Sequence, residues 1–129
     1  RERTLAIRAR KGMVLSESDH DSWSAGSFFI NPSVTPDVAA SLPEDAPKWP
    51  NADGSVKLSA AWLLERSGIA KGERLGGAGI STKHVLAITN ASGATSSEIL
   101  DLARRCQMAV ENTFGIVLMP EVQLIGATL

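Results

Sequence analysis

The stretch from Thr95 to Gly115 constrains the fold of this chain more than any other. Thr95-Ser96-Ser97-Glu98 has the spacing of a capping box, in which a hydroxyl and a carboxylate three residues on satisfy the orphan donors of a helix start. Ile99, Leu102, Ala103, Cys106, Ala109 and Val110 then recur at i, i+3, i+4 and i+7, which gathers them on one helical face. Arg104, Arg105 and Glu111 fall off that face, and Gly115 after Phe114 supplies a stop. A long helix with one apolar stripe must bury it against another layer.

The remaining signals supply that layer. Val85 to Thr89 (VLAIT) is a short apolar run ending at Asn90 and reads as a buried strand. Ile116 to Met119 and Val122 to Ile125 read as strand, interrupted by Pro120-Glu121. Proline inside an apolar run argues for an edge, a bulge or a bend. Ser59 is a good N-cap for a short helix over Ala60 to Ser67, with Trp62, Leu63 and Leu64 on its apolar side and Gly68 beyond it. Thr4 to Lys11 is ambiguous between helix and strand and stops at Gly12; residues 16–24 are polar and read as a loop. Residues 32–54 hold five of the 6 prolines together with Asn51-Ala52-Asp53-Gly54, and are expected to form a long irregular segment that covers a ligand. The expected fold class is α+β: a small mixed or antiparallel sheet packed with a long C-terminal helix and shorter helices.

At 129 residues, one domain spanning 1–129 is expected, with one ordinary core. A hydrophobic fraction of 43% and a charged fraction of 21% place the chain among globular proteins. The net charge of −1, with no basic block, argues against non-specific nucleic-acid binding. No apolar run has the length of a membrane span, so no membrane partner is expected. The single cysteine, Cys106, lies within the helical pattern and reads as a small core residue; one free thiol points to a reducing cytoplasm. The chain opens at Arg1 in a charged stretch and reads as a later portion of a larger polypeptide.

Four features carry candidate chemistry. In Ala25 to Pro32 (AGSFFINP), Gly26 leaves open space before the Ser27 hydroxyl. Phe28 and Phe29 follow as an apolar wall or as core, and Pro32 stiffens Asn31 toward extended geometry. Gly76-Gly77-Ala78-Gly79 precedes Ser81, Thr82 and Lys83, the groups an anion needs; without a Walker lysine or dinucleotide fingerprint, a tight surface loop is the better reading. Asp19-His20-Asp21 lacks metal-ligand spacing, and His84 is remote in sequence, so no metal site is expected. Glu121 sits among apolar residues in PEVQLIG, and is either a solvent-facing strand residue or an inward functional group.

AGSFFINP, KLSAAWLLERSG, GGAGISTKH and MPEVQLIG occur in that order. Together they resemble the C-terminal portion of the UDP-N-acetylenolpyruvoylglucosamine reductase family, over nearly the whole chain. The resemblance implies a substrate-binding α+β domain that closes over UDP-N-acetylglucosamine enolpyruvate. Its partner would be a flavin-binding domain of the same polypeptide, and the glycine-rich FAD segments of that portion have no counterpart here. In the family, NADPH reduces FAD, hydride passes to C3 of the enolpyruvyl group, and C2 is then protonated. The matching residues imply that Ser27 is the general acid and that Glu121 assists at the enolic carboxylate. That role of Glu121 would call for a desolvated cleft and a raised pKa. Lys11, Asn31 and Lys83 match positions that contact the diphosphate. Gln123 stands where arginine is common in the family. The chain has no tyrosine, as in the family's shorter form. The alternative is a nucleotide-sugar binding or regulatory module without catalytic activity.

Overall fold

The computed structural model describes residues 26–121. The elements run β1 (Ser33–Val34), α1 (Pro36–Ala40), β2 (Lys48–Pro50), β3 (Val56–Leu58), α2 (Ala60–Arg66), β4 (Arg74–Leu75), β5 (Ala78–Ile80), β6 (Ile88–Asn90) and α3 (Ser96–Phe114). The strands form two three-stranded antiparallel sheets, ordered β1-β3-β2 and β4-β5-β6. The fold is therefore α+β, as expected, with the sheet divided in two.

Helix α3 follows the sequence pattern closely. Thr95 Oγ1 accepts from Glu98 N at 3.1 Å, and Glu98 Oε1 accepts from Thr95 N at 2.9 Å, so the capping box is complete. Leu102, Ala103, Cys106 and Val110 are buried, Ile99 and Ala109 pack beside them, and the helix ends at Gly115. This face lies on the second sheet and on α2. Burial pushes the Cys106 thiol up to about 12, as a core cysteine should behave.

Helix α2 also begins where expected. Ser59 Oγ accepts from Trp62 N at 3.1 Å, and Ala60, Leu63 and Leu64 are fully buried. Removing a leucine side chain from water contributes about 1.5–3 kcal/mol, so Leu63 and Leu64 are the main reason this short helix persists. Its outer side is tied down as well. The Trp62 ring lies 5.7 Å from that of Phe114, and the Arg66 guanidinium sits 4.9 Å over Trp62 while pairing with Asp45.

The structure corrects three expectations. Residues 32–54 are not an irregular excursion: they contain β1, α1 and β2, and their prolines sit where each is tolerated, Pro36 in the first turn of α1 and Pro50 on an edge strand. The strand over Val85 to Thr89 begins late, at Ile88, because Val85 and Leu86 form a turn. Ile116 to Met119 form no regular strand. They alternate buried and exposed like one, but among the described residues the bridge at this segment is that of Pro120 with Phe29. Ile30 N donates to Met119 O at 2.9 Å and Glu121 N to Phe28 O at 2.7 Å, on either side of that pair. Phe29 and Pro120 are thus a non-hydrogen-bonded pair, and the missing proline N–H costs the pairing nothing. Thr4 to Lys11, the loop 16–24 and the run from Val122 lie outside the described residues.

Candidate functional site

Residues 26–31 are the segment on which the candidate site is assembled. Gly26 has φ of +85°, a conformation that favours glycine, and turns the chain into Ser27. Ser27 bridges to Ala87, and Phe28 N donates to Leu86 O at 2.8 Å. Phe28 O then accepts from Glu121 N. One side of this short segment therefore meets first the turn that carries Lys83 and then the segment that carries Glu121. Phe28 and Phe29 are buried, with ring centroids 5.0 Å apart in an edge-on arrangement. They are core that stiffens the segment, rather than an open wall.

Four of the five sequence-predicted site residues, Ser27, Asn31, Lys83 and Glu121, lie among the described residues. Ser27 is half-buried, and its hydroxyl forms no hydrogen bond among the described residues. Asn31 does double work: its Oδ1 accepts from Ala60 N at 2.9 Å, so the carboxamide is anchored to the start of α2 and its Nδ2 faces away from that bond. Lys83 is exposed, in a turn closed by Ser81. Glu121 is exposed and set against Phe28, so the described residues do not by themselves build the desolvated cleft expected around it. Leu118 is buried, but Met119 points outward at 60% exposure. The Ser27, Asn31, Lys83 and Glu121 side chains form no hydrogen bond or ion pair with one another among the described residues. Lys11, Gln123 and the Asp19-His20-Asp21 cluster lie outside the described residues. Among the described residues no group of three or more His, Cys, Asp or Glu is placed to hold a metal. Nor is any described helix long and apolar enough to cross a membrane.

The glycine segment is a two-residue hairpin turn between β4 and β5, not an anion cradle. Gly77 N donates to Glu98 Oε2 at 3.1 Å, so a carboxylate of this chain already fills the place a phosphate would take. A Cβ at Gly77 would meet backbone atoms of Ala94 at 2.7 Å, which leaves glycine as the residue that fits this approach. These residues do not fit the diphosphate of a flavin. The N–H groups of Thr95 and then Gly77 hold the Glu98 carboxyl below its ordinary value. A lowered folded value contributes stability that is complete above the unfolded value and is lost as pH falls through the folded one. Acid melts should therefore show a shallower loss of thermal midpoint below about pH 5 in Glu98→Gln than in the native chain. Parallel pH profiles would contradict this role.

Sequence reasoning missed two anchoring roles. Ser81 is fully buried, and its hydroxyl accepts from Lys83 N at 3.1 Å and His84 N at 3.2 Å, so it braces the turn instead of facing an anion. A serine whose hydroxyl can reach the backbone amides two and three residues later is the available signal. The grip of Asn31 on α2 joins positions 29 apart in sequence, and no local pattern announces it.

Comparison with known proteins places the chain in a family. The sequence model of a family described as "UDP-N-acetylenolpyruvoylglucosamine reductase, C-terminal domain" matches residues 18–125. A UDP-N-acetylenolpyruvoylglucosamine reductase of Cutibacterium acnes is 52% identical over 132 residues, covering 100% of this chain and 34% of the relative. The reductase of Mycobacterium tuberculosis is 51% identical over 140 residues, with 100% and 38% covered, and that of Mycobacterium leprae 50% identical over 135 residues, with 100% and 36% covered. The chain thus spans about a third of the length of these curated relatives.

Proposed function

The chain belongs to the family of UDP-N-acetylenolpyruvoylglucosamine reductase C-terminal domains, and we propose that it is the substrate-binding and proton-donating part of such a reductase. The whole enzyme would convert UDP-N-acetylglucosamine enolpyruvate to UDP-N-acetylmuramic acid in the cytoplasm, for peptidoglycan synthesis. The observation that carries this reading is the segment 27–31. Ser27 and Asn31 lie on it, and the backbones around Lys83 and Glu121 are hydrogen-bonded to it or to its pairing partners. Reducing equivalents, from NADPH by way of FAD, would come from outside the span of this chain, and no described residue is assigned to hold either group.

The roles of this chain's own residues follow from their chemistry. Ser27 donates a proton to C2 of the reduced enolpyruvyl group. A hydroxyl is a weak acid, so it must be held in place and its proton replaced from solvent. Its half-burial, beside rigid aromatic core and with no competing hydrogen bond among the described residues, suits that task. Glu121 assists at the enolic carboxylate. Lys83 and Lys11 supply ammonium groups for the diphosphate, and Asn31 supplies amide donors.

The anchoring of Asn31 makes a sharp test. Asn31→Asp keeps an acceptor for Ala60 N–H and adds negative charge at a helix start, where charge is favourable. It also turns a donor toward the substrate phosphates into a second carboxylate oxygen. The thermal midpoint should hold or rise, while affinity for UDP-N-acetylglucosamine enolpyruvate falls by about tenfold or more. Calorimetric titration would use a chimera in which this chain replaces the matching third of the Cutibacterium acnes relative. Unchanged affinity in Asn31→Asp would remove Asn31 from the diphosphate site.

A further inference from the structure

We propose that Ser81 is a positioning residue that fixes Lys83 beside the segment bearing Ser27, a role that rests on the reading of Lys83 as a diphosphate contact. Three observations support it. First, Ser81 is completely buried, and a buried hydroxyl is tolerated only when it is well partnered. Second, its Oγ accepts from the backbone N–H groups of Lys83 and His84, the two residues at the tip of the turn. Third, the turn closes on itself and on the site: Ser81 N donates to Ala87 O at 2.8 Å, Ala87 N donates to His84 O at 3.1 Å, and Ala87 bridges to Ser27. The Ser81 hydroxyl therefore braces the Lys83 backbone relative to the Ser27 segment.

The energetics favour a local effect over a global one. Removing the hydroxyl leaves two backbone donors without their acceptor, each able to recover water if the turn opens. Because Thr82 and Lys83 are exposed, opening is the cheaper response, and Lys83 shifts while the core beneath keeps its packing. A lysine that must find its phosphate from a loosened turn gives back part of its binding as ordering entropy.

The test measures steady-state kinetics and flavin reduction in the chimera described above. Ser81→Ala should raise KM for UDP-N-acetylglucosamine enolpyruvate by about tenfold, while the rate of flavin reduction by NADPH stays unchanged. Ser81→Thr, which keeps the acceptor, should restore a near-native KM. In a Lys83→Ala background, Ser81→Ala should add less than about a twofold change, because the residue acts through Lys83. Full additivity in that background would overturn the proposal and leave Ser81 as ordinary support for the loop. A native KM in Ser81→Ala, with KM raised in Lys83→Ala, would overturn it while sparing the site. A native KM in Lys83→Ala would remove Lys83 from the site, and this role of Ser81 with it. Should Ser81→Ala fail to fold, Ser81→Cys keeps the shape with a weaker acceptor: an intermediate KM supports the role and a native KM overturns it.

Discussion

Ser27→Ala, placed in the chimera, should slow reoxidation of the reduced flavin by UDP-N-acetylglucosamine enolpyruvate by about 10²–10⁴-fold, the usual contribution of a positioned acid. Reduction of the flavin by NADPH should proceed at its native rate, since that half-reaction precedes any proton transfer to carbon. Substrate affinity should change little, because the alanine removes one hydroxyl that is used in the transition state. Stopped-flow absorbance separates the two half-reactions directly. A variant that reoxidises at the native rate would strip Ser27 of its role. The backbone of Ser27 is held by its bridge to Ala87 and the adjacent Phe28–Leu86 hydrogen bond, neither of which involves the side chain. A slow variant is therefore not readily explained by lost structure.

The largest stability effect should come from Phe29→Ala. Phe29 is 2% exposed, meets Phe28 edge-on, and faces Pro120 across the bridge that secures the Glu121 segment. Truncation removes apolar contact and leaves a cavity, which together cost about 3–5 kcal/mol. Phe29→Leu retains most of the volume and should cost about 1.5 kcal/mol or less. Denaturant unfolding of the chain measures both. A loss below about 1 kcal/mol for Phe29→Ala would mean that this segment is not the core hub described above. The same residue shows why the site and core are inseparable here: the aromatic pair that stabilises the fold also stiffens the segment bearing Ser27.

The sequence was most legible where structure is local. The long helix announced its cap, stripe and stop because each is set by residues within one or two turns. The α2 start at Ser59 was readable for the same reason. The proline-rich region was misread because the pairing of β1 and β2 with β3 is non-local, and two- or three-residue strands leave almost no alternation to detect. The segment after Gly115 kept its alternation but forms no regular strand among the described residues, where it is bridged at Phe29 and held by Gln107 at Leu118 O. At the site, motif order pointed to Ser27, Asn31, Lys83 and Glu121. What those side chains are attached to was hidden: Asn31 to α2, the Lys83 turn to buried Ser81, and Glu98 to Gly77. Such tertiary anchors leave no periodic signature.

Product formation by the chimera tests the central claim most directly. With NADPH, bound FAD and UDP-N-acetylglucosamine enolpyruvate, the chimera should yield UDP-N-acetylmuramic acid, and the same polypeptide lacking this chain should not. A folded chimera that binds flavin and is reduced by NADPH, yet yields no product, would contradict the account of this chain as the substrate-binding, proton-donating part of the reductase.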